Sequence, residues 1–187
     1  SGGQSEYNPY AGSNTWTNFS GVASGKFPRN YNDFYKNAYG TNDEGAFGGF
    51  PDLCHTNPYV QDWLWKRDDS VGKYYKNIMK FDGWRFDYVK GFGAWVVNNW
   101  NSNVGGFSVG ELWDSNVNVL ESWANNANSS VFDFAAYYKM DEAFDNGNLN
   151  LLNDDMMWKR NPYKAVTFVS NHDTDIIYNK MLAYAYI

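Results

Sequence analysis

The sequence predicts an α/β fold, with parallel strands alternating with crossover helices as in part of a β/α barrel, behind a loop-rich amino-terminal segment. Two observations predict it. From about residue 83 onward, short apolar runs alternate with helical stretches, and such alternation means a parallel sheet with crossover helices. Three of the runs then end in charged residues: Gly83-Trp84-Arg85-Phe86-Asp87, Gly110-Glu111-Leu112-Trp113 and Phe168-Val169-Ser170-Asn171-His172-Asp173. Carboxylates at the carboxyl ends of successive strands are how a β/α barrel assembles an active site.

Residues 1–55 are rich in Gly, Asn, Ser, Tyr and Pro, poor in aliphatic side chains, and without helical periodicity. They read as a loop-rich subdomain with a few short strands. Many carboxylates and amides in place of aliphatics fit a bound cation replacing part of a core. Disorder is the competing reading, and the aromatics weigh against it. Asn57-Pro58 is an N-cap and first-turn pair, which predicts helices at 58–66 and 69–79, the second opened by Asp68, Asp69 or Ser70. A strand at 83–89, a helix at 91–101, a strand at 106–112 and a helix at 117–127 follow. Then come a short strand at 131–134, helical stretches over 139–157, a strand at 165–170 and a helix from Asp175. The expected domains are therefore 1–55 and 56–187. Four β/α strands are half of what a closed barrel needs, and an open half-barrel would expose two parallel strand edges. The sequence is thus expected to be part of a longer protein, with a complete four-stranded open sheet as the alternative.

Composition narrows the function. The 187 residues carry a net charge of -6 and no basic stripe, so nucleic acid and anionic membranes are poor partners. No run of about 18 apolar residues suggests a membrane span. A single cysteine, Cys54, excludes an internal disulfide and reads as a small buried residue. Aromatics make up 20% of the chain, with 9 Trp and 15 Tyr. Most must serve packing, although Trp and Tyr also form the flat platforms on which pyranose rings stack.

Each charged strand end can support chemistry. Alternation puts Arg85 and Asp87 on the same face, about 7 Å apart along the backbone, where the guanidinium would keep Asp87 ionised. Such a carboxylate suits a nucleophile at a sugar carbon; the plainer reading is a structural ion pair. Glu111 lies beside Leu112 and Trp113. Apolar surroundings would raise its pKa and let it donate a proton to a leaving oxygen; the plainer reading is a solvent-facing strand terminus. His172 can donate a hydrogen bond to a sugar hydroxyl, Asp173 adds a third carboxylate, and a structural histidine is the alternative. Two carboxylates suffice for glycoside hydrolysis by double displacement, and a third can steady the oxocarbenium-like transition state.

These residues resemble the α-amylase family of glycoside hydrolases. Gly83-Trp84-Arg85-Phe86-Asp87-Tyr88-Val89-Lys90 is similar to the family's fourth-strand motif, and Gly110-Glu111-Leu112-Trp113-Asp114 to its fifth-strand motif. Phe168-Val169-Ser170-Asn171-His172-Asp173 is similar to the seventh-strand motif, and Phe50-Pro51-Asp52-Leu53 to the short motif closing the calcium-binding B domain. Residues 43–52, 139–146 and 171–175 further resemble secreted α-amylases of hyperthermophilic archaea and their bacterial relatives, plant α-amylases being more distant. The resemblance implies a fragment of a (β/α)8 TIM barrel, strands four to seven, behind a calcium-binding B domain. It implies Asp87 as nucleophile, Glu111 as general acid/base and Asp173 as transition-state stabiliser. Arg85 and His172 would position Asp87 and the substrate, and Lys90 would contact a sugar on the leaving-group side. The carboxylates of Asp43 and Asp52 with the carbonyl of Gly45 would bind Ca2+, an ion suited to hard oxygen ligands. The parent protein would be a secreted monomer acting on starch and maltooligosaccharides.

The sequence departs from the family pattern in places. The third-strand motif, with a calcium ligand and a substrate-binding His, is absent. The archaeal zinc site needs a Cys and two His, whereas the matching positions read Tyr35 and Gly40, so no zinc is expected beside Cys54. A transglycosylase or debranching enzyme of the same family is one rival reading. A carbohydrate-binding homologue without catalysis is another, against which the presence of Asp87, Glu111 and Asp173 weighs. A third is that the isolated 187-residue piece is inactive.

Overall fold

The computed structural model describes residues 3–22, 26–40 and 50–187. It divides into two compact units, Ser1–Asp82 with Lys90–Gly105, and Gly83–Val89 with Gly106–Ile187. In the first unit the helices after Asn57 pack with a later one. Helix α2 (Val71–Asn77) meets α3 (Ala94–Val104) so closely that a Cβ on Gly72 would lie 2.7 Å from Val104 and 3.0 Å from Trp100.

In the first unit, β1 (Gln4–Asn8) and β2 (Ser13–Asn18) form an antiparallel hairpin. Its turn places Gly12 at φ 67°, a left-handed conformation that glycine adopts without steric cost. Polar side chains do much of what aliphatics do elsewhere. Buried Asn8 accepts from the Tyr10 and Ala11 amides and donates to the Lys36 carbonyl. Asn30 and Asp33 cap the 3-10 turn Tyr31–Asp33 reciprocally. Asn57 accepts from the Tyr59 amide as the cap of α1 (Pro58–Gln61), while its amide group donates to the Asn32 carbonyl and to Asp33. Burial pushes the Asp33 carboxyl upward, with the Asn30 amide, Arg29 and Asn57 offsetting part of the rise. Cys54 is fully buried and free. Beyond α1 the chain continues as a π turn, Asp62–Lys66, and Ser70 caps α2.

The second unit is built on a parallel sheet of β3 (Gly83–Phe86), β4 (Phe107–Gly110), β5 (Ser130–Phe132) and β6 (Ala165–Val166), in that spatial order. Each strand pairs with its successor, as consecutive strands of a β/α barrel do. The connections carry α4 (Val117–Asn126), α5 (Phe134–Asp145) and α6 (Met157–Arg160), and α7 (Lys180–Tyr186) follows the sheet. Helix α5 begins five residues earlier than 139, because Asp133 caps it by accepting from the Ala136 amide. The stretch read as helical after it holds only a 3-10 turn, Leu149–Asn153, and the single turn of α6. The final strand is shorter than 165–170. Phe134, Tyr137, Met140, Val169, Ile177 and Ala183 form the core against which Trp113, Phe132 and Phe168 pack. Among the described residues no helix is long and apolar enough to cross a membrane.

Candidate active site

Two adjacent strand ends in the second unit bring three of the expected residues together. Register pairs Arg85 with Val109 and Phe86 with Gly110, so the residues just past each strand, Asp87 and Glu111, leave the sheet side by side. The ladder continues past the strands, the Glu111 amide donating to the Phe86 carbonyl at 2.9 Å and the Val89 amide to the Glu111 carbonyl at 3.2 Å. Gly110 makes this geometry possible, because a Cβ there would lie 2.1 Å from the Trp123 ring of α4.

One guanidinium spans both carboxylates. Arg85 Nη1 donates to Asp87 Oδ1 at 2.7 Å and Nη2 to Glu111 Oε1 at 2.5 Å. Burial disfavours the charge on Arg85, but the hydrogen bond to Glu111 and the charges of Glu111 and Asp87 outweigh it and raise its pKa. The two acids differ sharply in exposure, the Glu111 side chain at 4% and that of Asp87 at 74%. The remaining Glu111 oxygen, Oε2, accepts from the Tyr88 amide at 3.3 Å. Tyr88 has φ 41°, an uncommon conformation for a non-glycine residue. The sequence reading surrounded Glu111 with aromatic rings; instead, its oxygens meet a guanidinium and a backbone amide. The neighbouring Trp113 packs on Phe134, ring centroids 4.7 Å apart.

The other expected pair sits on the loop after the last strand. His172 Nε2 and Asp173 Oδ2 are 2.9 Å apart, both well exposed. Asn171 shapes the loop, its Oδ1 accepting from the Asp173 and Thr174 amides while its own amide donates to Thr174 Oγ1. Lys90 is exposed in the turn Val89–Gly91 and falls in the first unit.

Of the expected calcium ligands, Asp43 and Gly45 lie outside the described residues. Asp52 lies in the first unit, and its backbone carbonyl accepts from the Tyr35 amide. Among the described residues no three His, Cys, Asp or Glu side chains gather as a metal site.

Sequence reasoning missed two groups here. The Tyr88 amide has no sequence signature, since nearly every residue type offers the same backbone N–H. Asp133, fully buried at the end of β5, accepts from the Ala136 and Trp158 amides and ties α5 to α6. An acid directly before a helical run was its available signal.

No family model matches the chain. In sequence it is 35% identical to an α-amylase of Bacillus licheniformis over 137 residues, an alignment covering 62% of this chain and 27% of the relative. It is 29% identical to a glucan 1,4-α-maltotetraohydrolase of Stutzerimonas stutzeri over 191 residues, covering 90% of this chain and 31% of the relative. The chain thus spans about a quarter to a third of the length of these curated relatives. Among solved structures, the α-amylase of Geobacillus thermoleovorans in complex with acarbose superposes with a TM-score of 0.62 at 22% identity, over 90% of this chain and 39% of that one. At that identity the superposition speaks for the fold, an α-amylase fold, and the sequence matches to named α-amylases speak for descent. Over the part of those relatives that it spans, the chain is thus similar in sequence and in fold to α-amylases of the glycoside hydrolases.

Proposed function

We propose that the parent protein is a retaining endo-α-1,4-glucanase acting on starch and maltooligosaccharides. The observation that carries the reading is the single guanidinium of Arg85 held between Asp87 and Glu111 at the ends of neighbouring parallel strands. Two carboxylates held by one small cation can both face one sugar, as double displacement requires. The relatives named as an α-amylase and as a maltotetraohydrolase support an α-1,4-glucan as substrate.

In the proposed reaction Glu111 gives its proton to the glycosidic oxygen as the bond from that oxygen to the anomeric carbon breaks. The Asp87 carboxylate attacks the same carbon from the opposite face, forming a glycosyl ester. A water then gives a proton to Glu111 while its oxygen adds to the anomeric carbon. The ester bond breaks, Asp87 is restored, and the product keeps the α configuration. A protonated Glu111 offers no charge to Arg85, so the guanidinium then serves Asp87 alone, the anion that must attack. Asp173 steadies the positive charge that develops on the sugar, and His172 holds a hydroxyl. Lys90 contacts a sugar on the leaving-group side. Ca2+, held by Asp43, Asp52 and the Gly45 carbonyl, would brace the amino-terminal segment. The protein is secreted and monomeric.

The test is reducing-sugar release from soluble starch, with product anomers followed by NMR. Asp87→Asn and Glu111→Gln are each expected to lose at least a thousandfold in rate, and the native protein to release α-anomers. Starch hydrolysis at the native rate in both variants, or β-anomeric products, would overturn the proposal.

A further inference from the structure

The side chains of His172 and Asp173 are well exposed and pair with each other, so their position is inherited from what holds their loop. One side chain of α5 meets that loop on both sides. The ring of Tyr137 stacks on Phe168, which enters the loop, with centroids 5.1 Å apart and planes 6° from parallel. The Tyr137 hydroxyl donates to the carbonyl of Asp175, which leaves it, at 2.8 Å. Tyr137 is itself buried at 3% exposure among Phe134, Met140, Val169 and Ile177. Between the two contact points the loop is closed on itself by Asn171 and Thr174. It therefore moves as a piece, and displacing one end carries His172 and Asp173 with it. Farther along α5, Asp145 accepts from the Tyr178 and Asn179 amides and fixes the chain beyond the loop.

We propose that Tyr137 is a positioning residue for His172 and Asp173, its ring setting where their loop begins and its hydroxyl where it ends. The functional consequence rests on the reading of Asp173 as a substrate-facing group; the positioning itself does not.

Tyr137→Phe keeps the ring and removes the hydroxyl. The chain has only two histidines, and His55 belongs to the other compact unit, so imidazole proton NMR reports the loop with an internal reference. In Tyr137→Phe the His172 resonances are expected to shift and broaden while those of His55 stay in place and the melting temperature changes by only a few degrees. In the starch-hydrolysing protein the same variant should lower kcat about ten- to a hundredfold with little change in KM, since small misplacements at a reacting centre carry costs of that size. A purely structural tyrosine predicts instead that Tyr137→Phe leaves His172 at its native shifts, Tyr137→Leu alone moving them; that result would overturn the proposal. Asp173→Asn run alongside separates the two claims. If it hydrolyses starch at the native rate, the role of Asp173 fails, while the His172 shift still decides for or against Tyr137.

Discussion

Replacing Arg85 with Ala removes the guanidinium from a carboxylate that solvent barely reaches. Glu111 is 4% exposed, and its bond to Arg85 at 2.5 Å is much shorter than its 3.3 Å bond to the Tyr88 amide. Breaking a buried pair by removing one partner costs about 3–5 kcal/mol. Arg85 is itself 36% exposed, so water relieves part of the loss, and about 2–3 kcal/mol is the expected effect. The pair with Asp87, whose side chain is 74% exposed, should contribute only about 0.2–1 kcal/mol. The local readout is amide hydrogen exchange at Glu111 and Val89, whose N–H groups close the ladder beyond β3 and β4. At about 1.4 kcal/mol per tenfold, Arg85→Ala should lower their protection roughly 30- to 150-fold, and Asp87→Ala no more than about fivefold. Adding Glu111→Gln to Arg85→Ala should recover most of the loss, since no charge is then left buried. Equal loss of protection in Arg85→Ala and Asp87→Ala would refute the reasoning, because Arg85 would then be a surface ion pair on both sides.

Gly110→Ala places a methyl against the Trp123 ring, where the Cβ would lie at 2.1 Å; it should cost about 1–3 kcal/mol by urea unfolding, and Trp123→Leu in the same chain should relieve part of it. Asn57→Ala removes the cap of α1 together with the bonds to Asn32 and Asp33, so a loss of about 2 kcal/mol is expected, read as faster exchange at the Tyr59 amide. Asp133 gives a pH signature. Burial, only partly offset by the Ala136 and Trp158 amides, raises its carboxyl above the ordinary 3.8. The native state therefore holds this proton more tightly than the unfolded state, and the group's contribution to stability grows as pH falls through the native value, levelling off below about 3.8. Unfolding midpoints across the acid range should then favour native protein over Asp133→Asn increasingly on acidification; a difference that shrinks on acidification would refute the assignment.

The sequence carried the pairing of Arg85 with Asp87 better than the bounds of the elements around it, and the reason is distance along the chain. Arg85 and Asp87 are two residues apart on one strand, so period-two alternation alone puts them on one face, and they are hydrogen-bonded. Ser70, one of the three residues read as opening α2 and the one that caps it, was likewise a local signal. The second bond of Arg85, to Glu111, spans 26 residues and exists only because Phe86 pairs with Gly110 across the sheet, a register that no local pattern encodes. The early start of α5 shows a different limit. Asp133 was a visible cap, but Phe134, Tyr137 and Tyr138 read as strand-forming or irregular by propensity, and burial of Phe134 and Tyr137 in the core overrides that weak preference. In the amino-terminal segment, the scarcity of aliphatics pointed to something other than an apolar core. The described part shows one substitute, asparagine and aspartate side chains bonded to backbone groups. The fixed donors and acceptors of these amides define loop geometry without buried area, at the cost that each lost partner leaves a buried polar group unpaired. A segment built this way has little apolar stabilisation in reserve, and bracing by a cation would add most where that reserve is least.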